Sequence, residues 1–261
     1  MTSAAVFDAL AAEYDARFTE SALGRLLRRA VWRWLDRTFP PGARVLELNC
    51  GTGEDAVHLA GRGVRVLATD AAPAMLARAR AKVARSGLGA AIEVRQAALD
   101  RLEELTPEWR GGLDGAFSNF GGLNCVTDLA PVSRALAALL KPGARVVLCV
   151  MGPLVPWEWA WFLARGRARR AFRRLARGGV PWRGTTVRYP SIRTTRRAFA
   201  AGFRLCRRGG LGVLLPPTYA AAWAARRPWL LELLDGWERR IETWPGVPWL
   251  GDHYLVELER R

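Results

Sequence analysis

Several features that would assign a protein to a membrane, a secretory route or a metal chemistry are missing from this 261-residue sequence. No apolar run is long and uncharged enough to span a bilayer, and the N-terminus lacks the basic start of a secretory signal. Four scattered cysteines without C-x-x-C spacing indicate neither a disulfide framework nor a metal site: Cys50, Cys125, Cys149 and Cys206. We therefore expect a reduced, cytoplasmic protein that needs no metal.

Lysine is almost missing as well, because only Lys82 and Lys141 among the 40 basic residues are lysine. Such an imbalance, with abundant Ala and Gly, is typical of a GC-rich genome, so the net charge of +16 does not by itself identify a partner. A basic face can serve nucleic acid, anionic lipid or an acidic substrate. The sequence contains no DNA- or RNA-binding motif and no base-stacking aromatic pattern, and we predict no nucleic-acid partner.

A glycine-containing loop follows the first apolar, strand-like run. Residues 45–53 read V-L-E-L-N-C-G-T-G, and the next such run, residues 66–70, ends at Asp70. Small residues let backbone N–H groups approach a ligand, and a carboxylate at this spacing can bind the two hydroxyls of a ribose. An ordinary strand-to-helix turn would explain the loop alone but not Asp70. The pattern predicts the nucleoside-binding half of an open α/β sheet.

The acids around the loop restrict which nucleoside it binds. A dinucleotide calls for G-x-G-x-x-G and a helix N-terminus that faces a pyrophosphate. Residues 47–53 instead have the pattern E-x-N-x-G-x-G, and Glu54 and Asp55 follow at the first helical turn. These carboxylates suit the positive end of a helix but repel phosphate. S-adenosylmethionine (SAM), which has a ribose, no phosphate, and both a sulfonium and an ammonium group, satisfies these conditions.

At this loop the chain resembles the class I SAM-dependent methyltransferases, whose first motif reads D/E-x-G-x-G-x-G, and in particular the small-molecule, quinone-biosynthesis type. Asn49 stands where the family usually has its first glycine. Because Asn is the non-glycine residue that best tolerates positive φ, we expect the loop to keep its shape and its contact with the methionine end of SAM to be altered. The resemblance implies cofactor contacts by Glu47, Asn49, Gly51, Gly53 and Asp70.

Further cofactor contacts follow from the same resemblance. The opening F-D-x-x-A-x-x-Y-D of residues 7–15 is similar to that of the quinone-type enzymes, where the aromatic residue caps the cofactor; packing of Tyr14 on the sheet is an equal alternative. Ala98 stands where the family usually has an acid near the adenine amino group, so that contact is missing unless Asp100 supplies it. The predicted additional cofactor residues are Tyr14, Ala71, Met75, Ala98, Leu99, Asn119 and Phe120.

Strand-like and helical segments alternate along the chain, which predicts a parallel sheet with right-handed crossovers. Strands are predicted at 44–48, 64–68, 91–95, 113–118 and 144–151, and helices near 53–61, 73–85 and 129–140. The alternating segment 252–258 suits an antiparallel last strand. We therefore predict an α/β fold with a Rossmann-like, seven-stranded, mostly parallel sheet, an antiparallel last strand, helices on both faces and helical cap insertions.

The chain divides into a core and cap segments in this interpretation. The predicted SAM-binding core comprises 43–151, 185–215 and 251–261, the N-terminal helical cap segment 1–42, and the substrate-cap insertions 152–184 and 216–250. The first insertion is predicted to place an apolar stripe opposite arginines on a helix over 157–175. A lid over the substrate cleft is the favoured interpretation, and membrane contact is the alternative. The second insertion is predicted to form an amphipathic helix with apolar residues Leu230, Leu233, Leu234, Trp237 and Ile241.

The concentration of tryptophan in these insertions indicates a small, hydrophobic and planar or isoprenoid acceptor, with arginines available for an acidic group on it. The predicted substrate-binding residues are Asn124, Trp157, Trp161, Tyr189 and Tyr219. The sequence leaves open O-, N-, S- and C-methylation and the oligomeric state. Two alternatives to a methyltransferase of small metabolites remain: a catalytically silent SAM-binding or scaffold protein, and a peripheral-membrane methyltransferase that acts on a lipid-like acceptor.

His253 is the predicted catalytic residue, as a general base or a hydrogen-bond donor to the substrate. It begins the last strand just after the aromatic insertion, and imidazole changes charge near neutral pH. The alternative is a structural histidine that fixes the start of the strand through Asp252. His58, inside the first helix after the loop, is expected to pack or to face solvent.

Overall fold

The fold is that of a computed structural model, which describes residues 3–217, 220, 223 and 226–261. The described strands are β1 (Arg44–Leu48), β2 (Arg65–Asp70), β3 (Ile92–Gln96), β4 (Leu113–Ser118), β5 (Leu140–Met151), β6 (Val180–Trp182), β7 (Thr185–Val187), β8 (Phe203–Leu211) and β9 (His253–Arg260). The large sheet has the order β3-β2-β1-β4-β5-β9-β8, in which β9 runs antiparallel to both of its neighbours. The predicted seven-stranded, mostly parallel sheet is confirmed.

Helices cover both faces of this sheet. The described α-helices are α1 (Ser3–Leu10), α2 (Ala22–Thr38), α3 (Glu54–Ala60), α4 (Pro73–Ser86), α5 (Thr106–Trp109), α6 (Ala130–Leu139), α7 (Pro156–Leu163), α8 (Ala168–Ala171), α9 (Ile192–Phe199) and α10 (Pro228–Ile241). Shorter helical turns span Asp15–Thr19, Leu99–Leu105, Leu123–Cys125, Arg173–Leu175 and Val247–Trp249. No helix in the described part of the chain combines the length and the apolar character that crossing a bilayer requires.

The core lies in two layers because successive strand residues point to opposite faces. Val45 of β1 packs with α2, α3 and α4 on one face, whereas Leu46 packs with α6 and α9 on the other. Strands that are buried on both faces read as continuous apolar runs, which is why the sequence pattern located them. The carboxyl ends of β1, β2 and β4 meet at one edge, and the loops that follow them form the site described below.

The first insertion does not form the predicted single helix over 157–175. Helix α7 ends at Leu163, Gly166 adopts φ 65°, and only the short helix α8 and the turn Arg173–Leu175 follow. Phe172 and Leu175, predicted to share a packed stripe, are exposed. A residue with positive φ cannot continue a right-handed helix, so Gly166 divides the segment. The predicted core boundary at residue 185 also falls inside a hairpin, because β6 pairs with β7.

The second insertion contains the predicted helix, α10, but only part of the predicted apolar set packs on the protein, as Leu234 does. Leu231, Asp235 and Glu238 are buried, whereas Leu233 and Trp237 are exposed. The Glu238 carboxylate accepts backbone N–H groups from the segment after β8, those of Gly212, Leu214 and Leu215. These polar contacts orient the helix, and a pattern of apolar residues cannot reveal them.

Candidate functional site

The loop between β1 and α3 has the backbone of a ligand-binding turn. Asn49, Gly51 and Gly53 all adopt positive φ, at 57°, 54° and 81°. Gly53 precedes the first turn of α3, and a Cβ on it would lie 3.1 Å from the Cβ of Ala79 in α4. Because Gly53 has no side chain, the loop can lie close to α4.

Asp70, at the end of β2, is bound to this loop. One carboxylate oxygen accepts the N–H of Gly51 and the other that of Ala72, both at 2.9 Å. Burial raises the pKa of Asp70 against the opposing effect of these hydrogen bonds. Each oxygen has a second lone pair, so the carboxylate can still accept hydroxyl groups from a ligand.

A cavity of about 430 Å³ opens beside the loop. Ten predicted cofactor residues line it: Tyr14, Asn49, Gly51, Asp70, Ala71, Met75, Ala98, Leu99, Asn119 and Phe120. Its wall carries three carboxylates, those of Asp70, Asp100 and Asp128, and no Lys or Arg among the described residues. In a chain of net charge +16, an acidic cavity without a cation selects against phosphate and for a positively charged ligand.

Two predicted cofactor residues, Glu47 and Gly53, are not on the cavity wall. Glu47 is buried beneath the loop, and its Oε2 has no hydrogen-bond partner in the described structure. Burial, together with the nearby charge of Asp55, raises its pKa well above the ordinary value. A carboxyl group in this state gains a partner if a cation binds close to it.

A buried polar network continues from the cavity wall into the protein. Asn119 donates from Nδ2 to Asp55 Oδ2 at 2.9 Å, and Asp55 Oδ1 accepts Arg28 Nη1 at 2.6 Å and Trp32 Nε1 at 2.7 Å. Burial alone would raise the pKa of Asp55, but Arg28 and the hydrogen bonds outweigh it and hold the pKa below its ordinary value. Asn119 Oδ1 and Arg28 Nε remain without partners. The network thus fixes Asn119 and leaves its carbonyl oxygen available.

The N-terminal segment closes over the cavity, which Phe7 and Tyr14 help to line. Asp8 accepts the N–H of Ala74 at the start of α4, at 2.7 Å. Asp15 accepts the Thr52 hydroxyl, next to Gly51 and Gly53 in the loop, at 2.6 Å. Asp8 and Asp15, the two acids of the F-D-x-x-A-x-x-Y-D motif, therefore attach this segment to two sides of the cavity. Burial raises the pKa of the Tyr14 phenol above its ordinary value.

Asn124, a predicted substrate-binding residue, forms several hydrogen bonds within the protein. Its Nδ2 donates to the carbonyls of Met151 and Arg188, at 3.0 and 2.6 Å, and its Oδ1 accepts the N–H of Met151 at 3.0 Å. The buried amide therefore joins the loop after β4 to the end of β5 and to the segment after β7.

Three aromatic residues predicted to bind substrate, Trp157, Trp161 and Tyr189, are not among the described residues of the cavity wall. Trp157 donates from Nε1 to the Leu214 carbonyl at 2.8 Å and packs against Trp223, which connects the two insertions. Trp161 packs under the guanidinium of Arg165, 3.6 Å from its ring centre. Tyr189 is half-buried, with the guanidinium of Arg174 4.9 Å from its ring centre. Tyr219 lies outside the described residues.

His253 begins β9 opposite Met151, at the edge of the sheet where the parallel strands end. Its buried ring packs edge-on against Phe120 of the cavity wall, with centroids 5.7 Å apart. Its Nδ1 lies 3.0 Å from Asp252 Oδ2. Burial would raise the pKa of Asp252, but Arg174 and His253 lower it below its ordinary range. Arg174 also donates to Glu158 of α7 at 2.8 Å, so the ion-pair network extends from the cap to His253.

Several residues of the site could not be predicted from the glycine-loop motif. Arg28 occupies an ordinary position in an amphipathic helix, and only its burial identifies it. Asp128 of the cavity wall was not predicted either. It lies two residues before α6, which begins with Ala130 and Pro131, and an Asp at this place is typical of a helix start. Asp100, considered above as a possible adenine contact, lies on the wall, and the wall residues that were not predicted are Ala4, Phe7, Gly122, Cys125, Val126, Thr127, Asp128, Pro131 and Val132.

Comparison with known proteins agrees with this geometry. Residues 45–143 match the methyltransferase domain family, over a range that begins in β1 and includes the loop and Asp70. A solved structure of an S-adenosylmethionine-dependent methyltransferase from Mesorhizobium loti is 26% identical, with a TM-score of 0.57, and the match covers 89% of this chain and 98% of that one.

Two curated relatives act in quinone biosynthesis by their names. The demethylmenaquinone methyltransferase of Mycolicibacterium vanbaalenii is 34% identical over 148 residues, which are 56% of this chain and 58% of that protein. The ubiquinone biosynthesis O-methyltransferase of Xanthomonas axonopodis pv. citri is 35% identical over 115 residues, 44% of this chain and 46% of that protein. The chain thus spans about half the length of these relatives.

Proposed function

We propose that this chain, which carries a class I SAM-dependent methyltransferase domain, transfers the methyl group of SAM to a small hydrophobic or aromatic molecule. The observation that carries the proposal is the cavity beside the glycine loop, with three carboxylates and no cation on the wall formed by the described residues. SAM has one carboxylate, one ammonium and one sulfonium, so its net charge is positive. A dinucleotide phosphate would find no cationic partner on that wall.

The parts of SAM match distinct groups of the chain. Asp70 is suited to the ribose hydroxyls, as the acid at the end of the second strand of such a sheet. The unpaired Oδ1 of Asn119 and the buried Oε2 of Glu47 are acceptors that an ammonium group nearby would satisfy. We assign the adenine to the part of the cavity that Ala71, Met75 and Leu99 line.

We propose that residues 152–184 and 216–250 form the substrate cap over the core segments 43–151, 185–215 and 251–261. The packing of Trp157 on Trp223 supports a cap in which both insertions take part, and the hydrogen bond from Trp157 to Leu214 attaches it to the core. A cap rich in tryptophan favours an apolar, planar acceptor. The names of the quinone-biosynthesis relatives support the same class.

When bound, SAM supplies an activated methyl group on sulfur, and its leaving group is a neutral thioether. The protein therefore has to align the acceptor, exclude water and, if the acceptor carries a proton, remove it. Phe7 and Tyr14 cover the cavity and limit the access of water. His253, next to Phe120 and with Nδ1 3.0 Å from Asp252 Oδ2, is the residue we assign to proton removal or to a hydrogen bond with the acceptor.

Calorimetric titration with SAM, its demethylated product and NAD tests cofactor binding. We expect SAM to bind in the micromolar range and Asp70→Asn to weaken it by about 1–3 kcal/mol, the usual cost of losing a buried hydrogen bond to a charged group. Asp36→Asn, which removes a carboxylate paired with His58 away from the cavity, is the matched control. Tight NAD binding, or unchanged SAM binding by Asp70→Asn, would contradict the proposal.

Methyl transfer itself requires a separate experiment, because a catalytically silent SAM-binding protein would pass the titration. Incubation with labelled SAM and a metabolite extract should label a small apolar product, and purification of that product identifies the acceptor. If SAM binds and no extract yields a labelled small molecule, the silent alternative is favoured.

A further inference from the structure

Helix α10 buries Leu231 and two carboxylates on its inner face and exposes a row of large apolar residues on its outer face. Asp235 and Glu238 are each 3% exposed, whereas Trp229, Leu233 and Trp237 are 66%, 50% and 54% exposed. Residues four apart lie on one face of a helix, so these three side chains form a continuous row. We call this row the tryptophan ridge.

The ridge is held in this orientation by buried polar contacts. Glu238 accepts backbone N–H groups after β8, as described above, and the buried Asp235 lies on the same inner face of the helix. Rotating the helix to bury the ridge would place both carboxylates in solvent and leave those N–H groups unpaired, which is costly. The contacts of Glu238 therefore hold the ridge in its exposed position.

The charge around the ridge indicates what covers it. Arg226 and Arg240 are exposed, and the guanidinium of Arg240 lies 5.5 Å from the ring centre of Trp237. Glu232 is the exposed acid of α10, since the other carboxylates of the helix are turned inward. Tryptophan flanked by arginine suits the headgroup layer of an anionic bilayer, where the indole is partly buried and the guanidinium binds phosphate.

We propose that the tryptophan ridge binds the surface of anionic membranes, with α10 parallel to the bilayer plane. A second copy of the chain fits less well, because two molecules of net charge +16 repel each other. Trp244, one turn beyond the helix and 59% exposed, extends the apolar surface at its end. This inference rests on α10 alone and does not depend on the identity of the methyl acceptor.

Flotation with lipid vesicles tests the proposal. The intact chain should float with vesicles of equal parts phosphatidylglycerol and phosphatidylcholine, and less with pure phosphatidylcholine, with binding that weakens as salt is raised. The variant W229S/W237S should lose on the order of tenfold or more in partitioning. Unchanged SAM affinity by calorimetry shows that this variant is folded.

The matched control replaces exposed apolar residues elsewhere in the cap, in L163S/L175S. We expect it to float like the wild type; loss of flotation in this control but not in W229S/W237S would assign membrane contact to the first insertion and overturn the proposal. Absence of wild-type flotation at physiological salt would overturn it as well. Sedimentation velocity that finds a wild-type dimer and a W229S/W237S monomer, without vesicle binding, would assign the ridge to a second copy.

Discussion

The side chain of Asn49 occupies the space that a side chain on Gly122 would need. A Cβ built on Gly122 would lie 2.1 Å from Asn49 Nδ2, well inside contact distance. Asn49 Nδ2 also donates to Ser118 Oγ at 3.0 Å, which fixes the amide between the loop after β1 and the loop after β4. The departure of residue 49 from the family's usual glycine is therefore matched by a glycine on the facing loop.

This pairing predicts strong coupling between the two positions. Gly122 has φ −58°, which alanine adopts freely, so Gly122→Ala should destabilise the protein only through its clash with Asn49, by about 1–3 kcal/mol. Asn49→Gly should relieve the clash, so the double variant should be more stable than Gly122→Ala alone. Urea unfolding of the four proteins gives the coupling energy, and additive changes would show that the contact is absent.

A second prediction concerns the attachment of the N-terminal segment to the cofactor loop. Asp15 accepts the Thr52 hydroxyl and pairs with Lys82 at 3.0 Å. Asp15→Asn should speed SAM dissociation about tenfold while changing association less, because the cover opens before the ligand leaves. Glu13→Gln, in an exposed ion pair with Arg17 nearby, is the control. Equal dissociation rates in stopped-flow experiments would rule out a covering role for this contact.

The sequence predicted the parts of the fold that depend on local periodicity and on a recognised motif. Strands β1, β2, β4 and β5 contain mainly apolar segments whose burial on both faces makes them recognisable, and the glycine loop with Asp70 locates the cofactor edge. The apolar pattern of α10 did not indicate that Leu233 and Trp237 are exposed, because the orientation of the helix depends on Glu238 and on backbone groups after β8, far away in sequence.

Side chains whose role depends on a tertiary partner also escaped prediction. Asn124 was predicted to bind the acceptor, and the hydrogen bonds that join its amide to Met151 and Arg188 were not foreseen. Arg28 looked like any helical arginine, yet it is buried and neutralises Asp55 beside the cavity. Neither contact produces a periodic pattern in the sequence, because each joins residues from distant segments.

A third prediction follows from the buried ion pair of Arg174 and Asp252. Removing one partner of such a pair leaves an uncompensated charge, so Asp252→Asn should lower the free energy of unfolding at pH 7 by about 3–5 kcal/mol. Because the folded pKa of Asp252 is lowered, its contribution is complete above the unfolded pKa of about 3.9 and is lost as the pH falls through the folded value.

Urea unfolding of both proteins between pH 7 and pH 3 measures this dependence. The difference between wild type and Asp252→Asn should stay constant from pH 7 to about pH 5 and shrink below about pH 4. Glu104→Gln, which removes an exposed ion pair with Arg101, should change the free energy of unfolding by less than about 1 kcal/mol. A difference that grows as the pH falls would contradict the assigned pKa direction.

The last prediction separates a catalytic from a structural role for His253. Asp252 lies next to Nδ1, so Nε2 is the ring nitrogen that remains for an acceptor, and the contact with Phe120 places the imidazole behind the cavity wall. If His253 removes a proton from the acceptor, His253→Gln should lower kcat about 10²-fold or more and leave SAM affinity unchanged. His58→Gln, at a histidine that stacks on Trp32 and binds Asp36, should keep near-normal turnover. A loss of stability with normal kcat in His253→Gln would instead assign His253 to fixing the start of β9, and methyl transfer would then depend on alignment alone.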